Sequence, residues 1–199
     1  MLKNIESYLG KHSIEYRMMI CEQNDEGKFN RGKLLNIAFI ESEKQFQGPN
    51  TYIHMNIDYQ FDVNRDFPRE LLQVKGVVDL HKLPYPILGA ACVFEPDSYR
   101  TINGFPNDLL GWGGDDWAIY NRLRRKNVPI YYPKHLTNTG FILENNDDKK
   151  VTDTSDSPLN LELAKRNDIE TNGVTTCKYQ VNSTGEFHQS NIVHLVVDL

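Results

Sequence analysis

Two adjacent carboxylates, Asp115 and Asp116, follow a glycine-rich run near the middle of this sequence. Trp112 lies between glycines at positions 111, 113 and 114, so this run can form a loop that moves and approaches a ligand closely. Aromatic and apolar residues then recur at helical spacing, which places both aspartates near a helix N-terminus. There the helix dipole favours the ionised form by about 1 kcal/mol or less. The alternative interpretation is that an aspartate only caps the helix and the glycines only form a turn.

Two charged residues elsewhere lie where a ligand could contact them. Arg31 follows Asn30, a good N-cap residue, and therefore begins a predicted helix. A positive charge at a helix start opposes the dipole, so a negatively charged ligand nearby would explain Arg31 better than an ordinary surface position does. Asp58 comes just after a predicted strand over Thr51–Met55, where open α/β sheets bind their ligands, although a turn residue is the alternative.

The longer run from Ile102 to Leu123 resembles a known family. It contains Asn-Gly-Phe-Pro-Asn, then Gly-Trp-Gly-Gly-Asp-Asp, then Asn-Arg-Leu. This order resembles the loop and catalytic segment of the β-1,4-galactosyltransferases (glycosyltransferase family 7), where Glu-Asp-Asp follows Gly-Trp-Gly-Gly. Phe29-Asn30-Arg31 and Asn56-Ile57-Asp58 resemble two further family segments. The resemblance extends from the first predicted helix to Val197 and implies an α/β, GT-A-like fold with a central mixed sheet flanked by helices.

The resemblance also implies a reaction and a set of site residues. The reaction is an inverting transfer of galactose or N-acetylgalactosamine from a UDP-sugar to a hydroxyl of a glycan acceptor. The catalytic base aligns with Asp116. The implied donor-binding residues are Phe29, Arg31, Ile57, Asp58, Ile87 and Trp112. The implied acceptor-binding residues are Gly113, Gly114, Asp115 and Trp117.

Mn²⁺ is the cofactor that the resemblance implies, with Asp58 as its ligand. The family's other two ligands, a methionine and a histidine, align with Ile142 and Asn145. An isoleucine cannot coordinate a metal, and an asparagine offers only a carbonyl oxygen. The possible replacements are Glu144, Asp147, Asp148 and His135, and the sequence does not distinguish among them.

Three departures from the family pattern limit what the resemblance implies. Ile87 takes the place of a tyrosine that crowds the C2 substituent of the donor sugar, so it leaves room for an N-acetyl group. The alternative is that Ile87 is simply a core residue. Trp117 takes the place of a carboxylate that grips the acceptor sugar, and its ring can only stack on a sugar face. The family strand that precedes the first helix and holds uridine has no counterpart here. The alternative function is therefore a weak or inactive glycosyltransferase-like binding domain, or a synthase subunit completed by a partner chain.

Composition describes an ordinary globular chain of 199 residues, which we expect to fold as one domain, 1–199. The net charge of −5 and the absence of a basic block argue against a nucleic-acid or membrane-surface partner. The sequence contains no run of eighteen apolar residues and so predicts no membrane span, and the N-terminus does not look like a signal peptide. Three cysteines, an odd count without metal-ligand spacing, suggest reduced thiols and a cytoplasmic location.

Periodicity predicts the elements that position these residues. The expected helices run from Leu2 to a C-cap at Gly10, from an N-cap at Asn30 to Ile40, and over Asp116–Lys126 and Leu159–Arg166. A single helical turn is expected over Glu95–Arg100. The expected strands are Ile14–Cys21, Thr51–Met55, Tyr85–Phe94, Val128–Tyr132, Asn172–Val181 and Ile192–Val197. The resemblance implies that the last two form a hairpin. The segment from Asp62 to Val78 is interpreted as loop with a short helix near Glu70–Leu72.

Overall fold

The computed structural model describes residues 2–46, 51–57, 59–80, 88, 91–132, 142–144, 153–186 and 191–199. The helices in these ranges are α1 Leu2–Lys11, α2 Arg31–Gln45, α3 Pro96–Thr101, α4 Asp115–Arg125 and α5 Ser157–Leu163. The strands are β1 Met18–Gln23, β2 Tyr52–Met55, β3 Tyr59–Phe61, β4 Val77–Asp79, β5 Ala91–Phe94, β6 Ile130–Tyr131, β7 Ile142–Glu144, β8 Gln180–Glu186 and β9 Ile192–Asp198. No helix within the described ranges is both long and apolar enough to cross a lipid bilayer.

A mixed sheet of order β2-β5-β4-β6 lies at the centre of these elements. Strand β5 is antiparallel to both β2 and β4, whereas β4 and β6 are parallel. All residues of β5 are buried, because both faces of the sheet are covered. Val93 contributes to a core formed with α1, and Phe94 contributes to a core formed with α2, α3 and α4. This alternation is the pattern of a sheet between two helical layers.

Helix α2 also packs on a second sheet, of order β1-β9-β8. Leu34 and Ile37 of α2 contact Leu195 and Val197 of β9. Strand β1 is parallel to β9, and β8 forms an antiparallel hairpin with β9. Because α2 lies between this sheet and the central one, its N-terminus has a fixed position relative to both.

The predicted elements are largely confirmed, with several changes. Gly10 is not a C-cap, because α1 continues to Lys11 and the left-handed residue is Ser13, with φ of 50°. The strand predicted over Ile14–Cys21 begins at Met18 instead. The short helix near Glu70–Leu72 is confirmed as a 3-10 helix, Arg69–Gln73. The loop interpretation of its surroundings is wrong at β4, whose three residues are all buried. Strand β5 confirms the end of the strand predicted over Tyr85–Phe94.

The strand predicted over Asn172–Val181 is wrong except for its last two residues. Val174–Thr176 is a 3-10 helix, and β8 begins only at Gln180. The backbone N–H groups of Val174 and Thr175 donate to the carbonyl and side-chain oxygens of Asn103, at 2.9 and 2.8 Å. Tertiary hydrogen bonds to Asn103 therefore replace the ladder that the β-branched residues suggested.

Candidate active site

Arg31 is the first residue of α2, and its backbone is held by its neighbour Asn30. The Asn30 side chain accepts a hydrogen bond from the Lys33 N–H at 2.9 Å and donates one to the carbonyl oxygen of Asn107 at 2.7 Å. The predicted N-cap is thus confirmed, and the same asparagine connects α2 to the Asn-Gly-Phe-Pro-Asn turn. This double role orients Arg31 towards the start of α4.

The Arg31 guanidinium joins three segments that are distant in the chain. Its Nε donates to the side-chain oxygen of Asn56 at 2.7 Å, just after β2. Its Nη1 lies 2.5 Å from Asp115 Oδ2 and 3.6 Å from Asp116 Oδ1. Only 19% of the side chain is exposed, and the ring of Phe105 lies 5.8 Å from its Cζ. Carboxylates of the chain itself therefore account for the positive charge at this helix start, without the anionic ligand that the sequence suggested.

Asp115 and Asp116 occupy the first turn of α4, as predicted, but neither one caps it. The N-cap is Gly114, with a left-handed φ of 88° and no side-chain hydrogen bond. An added Cβ at Gly114 would lie 2.7 Å from the backbone of Asn160, so this position requires glycine for both reasons. The interpretation of the aspartates as mere caps is wrong, and both carboxylates point to other partners.

The pKa of Asp116 is raised to about 7. Burial is the largest cause, followed by the negative charge of Asp115, and the Arg31 guanidinium opposes both. Desolvation also acts against the charge of Arg31, but Asp115 and Asp116 outweigh it and keep the pKa of Arg31 above its ordinary value. Asp116 is therefore a carboxyl group that exchanges its proton near neutral pH.

Asp79 is a site residue that the sequence analysis missed. It ends β4, is buried, and adds to the rise in the pKa of Asp116. A signal was present, because an aspartate directly after Gly-Val-Val is a carboxylate at the end of an apolar strand. Because the preceding segment, Asp62 to Val78, was interpreted as loop, Asp79 was not predicted as a site residue.

The glycine-rich loop that contains Trp112 is held by its backbone. Gly111 N–H donates to the Phe29 carbonyl oxygen at 2.8 Å. The amide of Asn160 in α5 donates to the carbonyl oxygens of Leu110 and Trp112, at 2.8 and 3.3 Å. The Trp112 side chain nevertheless stays 49% exposed. The loop thus presents an indole ring to solvent from a backbone that α5 supports.

The Asn-Gly-Phe-Pro-Asn turn supports the site rather than contributing chemistry to it. The Asn36 side chain accepts from the Tyr99 hydroxyl and the Phe105 N–H, and donates to the Phe105 carbonyl oxygen. The Arg122 guanidinium, buried with 2% of its side chain exposed, donates to the carbonyl oxygens of Gly104 and Asn172. These bonds connect α2, α4 and the turn into one support for Asp116.

Replacing Arg122 by methionine should destabilise the fold by about 3–5 kcal/mol, because buried carbonyl oxygens and the Asp168 carboxylate lose their donor. Urea unfolding followed by circular dichroism measures this change. The matched control is Arg124→Met on the exposed side of α4, which should stay within about 0.5 kcal/mol of the wild type. Equal stability of the two variants would show that the buried network is not essential.

His54 lies beneath Arg31 but is not a competing base. Its ring is buried among Phe94, Tyr99 and Phe105, with centroid distances of 4.9, 5.0 and 6.2 Å. Burial, together with the positive charge of Arg31, lowers the pKa of His54 to about 3. His54 is therefore neutral, and Asp116 is the group with a pKa suited to accept a proton at pH 7.

The other predicted site residues are only partly described. Phe29 and Ile57 are exposed, as is Trp117 on α4. Gly113 is packed against Ser157 of α5. The structure thus brings Arg31, Asp115 and Asp116 together. Residues that lie outside the described part of the chain are Asp58, Ile87, His135, Asn145, Asp147 and Asp148.

The predicted metal site therefore remains a prediction. Ile142 and Glu144 are described by their backbone only, in β7, where Glu144 pairs with Tyr59, the residue after Asp58. The described residues contain no group of three or more His, Cys, Asp or Glu side chains that could hold a metal ion. Metal binding at the donor site therefore depends on Asp58 and the residues near it.

Comparisons with known proteins agree with the resemblance. A family model described as the N-terminal region of glycosyl transferase group 7 matches residues 1–64, and one described as the N-terminal domain of galactosyltransferase matches residues 79–145. Beta-1,4-galactosyltransferase 1 of Mus musculus is 31% identical over 148 residues, which are 71% of this chain and 37% of that protein. Beta-1,4-galactosyltransferase 3 of Bos taurus is 27% identical over 92% of this chain and 48% of that protein. The chain thus spans less than half of these relatives.

Two solved structures share the fold. The catalytic domain of Drosophila beta1,4-galactosyltransferase 7 in complex with xylobiose superimposes with a TM-score of 0.78 at 19% identity, covering 100% of this chain and 86% of that chain. A mutant of that enzyme in complex with manganese, UDP-Gal and xylobiose gives a TM-score of 0.72 at 17% identity, with the same coverage. The predicted α/β, GT-A-like fold is confirmed.

Proposed function

Since the chain belongs to glycosyltransferase family 7, we propose that it is an inverting glycosyltransferase that moves galactose or N-acetylgalactosamine from a UDP-sugar to a glycan hydroxyl. One observation carries this proposal: Asp116 combines a pKa of about 7 with a place beside Arg31 at the start of α4. A base with such a pKa is largely ionised just above neutral pH and still strong enough to accept a proton.

In the proposed reaction, Asp116 accepts the proton of the acceptor hydroxyl as its oxygen attacks the anomeric carbon of the donor. The bond from that carbon to the diphosphate breaks on the opposite face, which inverts its configuration, and UDP leaves with the electron pair. Asp115 holds Arg31, so that the guanidinium keeps a fixed direction beside the base. Because the guanidinium is already in position, no free energy is needed to reorient it as negative charge develops on the leaving diphosphate.

Charge balance at this site supports a cation for the donor diphosphate. Within the described part of the chain, Asp115 and Asp116 both pair with Arg31, so these three side chains together carry a charge near −1 once Asp116 is ionised. A diphosphate would meet net repulsion there unless another positive charge is added. We propose Mn²⁺ held by Asp58, which when bound would neutralise charge on the departing diphosphate. The Drosophila enzyme with the same fold was crystallised with manganese, UDP-Gal and xylobiose, which supports this choice.

Isothermal titration calorimetry with UDP, UDP-Gal and UDP-GalNAc, each with and without Mn²⁺, tests the proposal. We expect UDP-sugar binding that Mn²⁺ strengthens, and similar affinities for the two sugars because Ile87 leaves room at C2. Binding of none of the three would contradict the proposed enzyme. Binding that is indifferent to the metal would remove Asp58 as a ligand but leave Arg31 and Asp116 in their roles.

A binding domain without turnover is the second candidate function. It is favoured by the pairing of Arg31 with the chain's own carboxylates and by Ile142 in place of a metal-binding methionine. Donor hydrolysis in the absence of acceptor distinguishes the two, because only an enzyme releases free sugar from a UDP-sugar. The cytoplasmic location, the partner subunit and a role in polysaccharide synthesis stay predictions.

A further inference from the structure

Beyond the base, α4 carries aromatic side chains that the proposed reaction does not use. Trp117 follows Asp116 directly and is 40% exposed. Tyr120 lies one turn further along, with its ring edge-on to Trp117 at 6.2 Å between centroids and 88° between planes. Residues three apart share a helix face, so the two rings form one continuous surface that begins next to the base.

Tyr132 extends this surface from the central sheet. Ile130 of β6 packs into the core that contains Ile119 and Leu123 of α4. Side chains alternate along a strand, so Tyr131 lies on the face opposite to Ile130, and Tyr132 is the first residue after β6. Burial raises the pKa of Tyr132, and the nearby Tyr120 of α4 and Asp79 of β4 add to the rise, so Tyr132 lies close to both. Tyr132 is still 48% exposed.

We propose that Trp117, Tyr120 and Tyr132, which we term the aromatic strip, bind the second and third sugars of an oligosaccharide acceptor. This inference rests on the proposed function. The strip starts at the residue after the base, where the acceptor hydroxyl must lie. Each of its rings joins an apolar face to a polar tip, which suits a pyranose with its C–H face and its rim of hydroxyls.

The chemistry of Trp117 explains why more than one sugar is needed. A carboxylate at this position could hold the hydroxyls of a single sugar, whereas an indole can only stack and donate one hydrogen bond. The affinity lost at the first sugar is then recovered by stacking of the following ones. An isolated exposed aromatic ring would need no explanation, but Trp117 and Tyr132 are both exposed and the half-buried Tyr120 lies with them, so together they form a surface of the kind that binds ligands.

The test compares acceptors of increasing length: methyl β-xyloside, xylobiose and xylotriose, and methyl β-glucoside, cellobiose and cellotriose. We expect kcat/KM for transfer to rise about tenfold or more from the monosaccharide to the trisaccharide in at least one series. Tyr132→Ala should remove most of this rise, and Tyr120→Leu, which keeps an apolar side chain against the core, should reduce it. Tyr131→Ala is the matched control: Tyr131 is similarly exposed, at 45%, but lies on the other face, and its replacement should leave the rise intact.

The outcomes separate this inference from the proposed function. Donor hydrolysis and UDP affinity report on the proposed function and should be the same in all three variants. If donor is hydrolysed but transfer is indifferent to acceptor length, or the rise survives Tyr132→Ala, the aromatic strip is not an acceptor surface. If no UDP-sugar is hydrolysed, NMR titration with xylotriose and cellotriose decides: binding that Tyr132→Ala abolishes supports the strip, and its absence overturns it.

Discussion

Replacing Asp116 by asparagine should lower the rate of sugar transfer by about 10²–10⁴-fold while UDP affinity stays nearly unchanged. Asparagine keeps the size of the side chain but cannot accept the proton of the acceptor hydroxyl. Steady-state kinetics together with calorimetry of UDP binding measure the two effects separately. Loss of UDP binding together with transfer would mean that Asp116 is structural, because the amide then disturbs the pairing with Arg31.

The pH profile of the wild type should follow the same group. Asp116 must be ionised to act, and its pKa is about 7, so kcat/KM should fall as the pH decreases through neutrality. Asp115→Asn is the informative comparison, because the negative charge of Asp115 raises the pKa of Asp116. Removing that charge should move the fall in activity to lower pH. An unshifted profile would assign the proton transfer to another group.

Replacing Arg31 by glutamine should cause the largest loss of activity after Asp116→Asn, and this loss should depend on pH. Arg31 lowers the pKa of Asp116, so without it the carboxyl holds its proton to higher pH. Transfer at pH 7 should fall about fivefold for the first unit by which that pKa rises and about tenfold for each further unit, and part of the loss should return at alkaline pH. Initial rates measured across the pH range test this recovery.

Two further variants separate the charge of Arg31 from its hydrogen bonds. Arg31→Lys loses the planar group that reaches both Asn56 and Asp115. It keeps the positive charge, however, so its pH profile should stay near that of the wild type. Asn56→Ala removes only the hydrogen bond to Nε and should have a small effect on the profile. A glutamine variant that is equally impaired at every pH would place Arg31 in donor binding alone.

Local chemistry predicts those parts of the fold that depend on neighbouring residues. Asn30 confirms the start of α2, because an N-cap needs only a side chain and the N–H groups that follow it. The start of α4 was predicted for a similar reason, whereas the hairpin of β8 and β9 was implied by the resemblance. Strand β4 was missed, because a strand buried on both faces does not alternate and a short apolar run is ambiguous.

The site shows the same division between local and distant causes. The resemblance assigned Arg31 and Asp116 to one reaction, but no local pattern predicts that Arg31 pairs with a carboxylate, that of Asp115, 84 positions later in the chain. The 3-10 helix at Val174–Thr176 is similar, since it depends on hydrogen bonds to Asn103, 72 positions away for Thr175. Such pairings are set by how the sheets and helices pack, which composition and periodicity do not specify.

Because Arg31 forms ion pairs with both Asp115 and Asp116, proton uptake by Asp116 is coupled to ligand binding. A diphosphate that approaches Arg31 adds negative charge beside Asp116, so the carboxyl takes up a proton near neutral pH as the anion binds. By thermodynamic linkage, metal-free nucleotide then binds more weakly as the pH rises, and a divalent cation brought with the donor reverses this by favouring the ionised base. In the proposed enzyme, binding of a complete donor with its cation would thus increase the ionised fraction of the base.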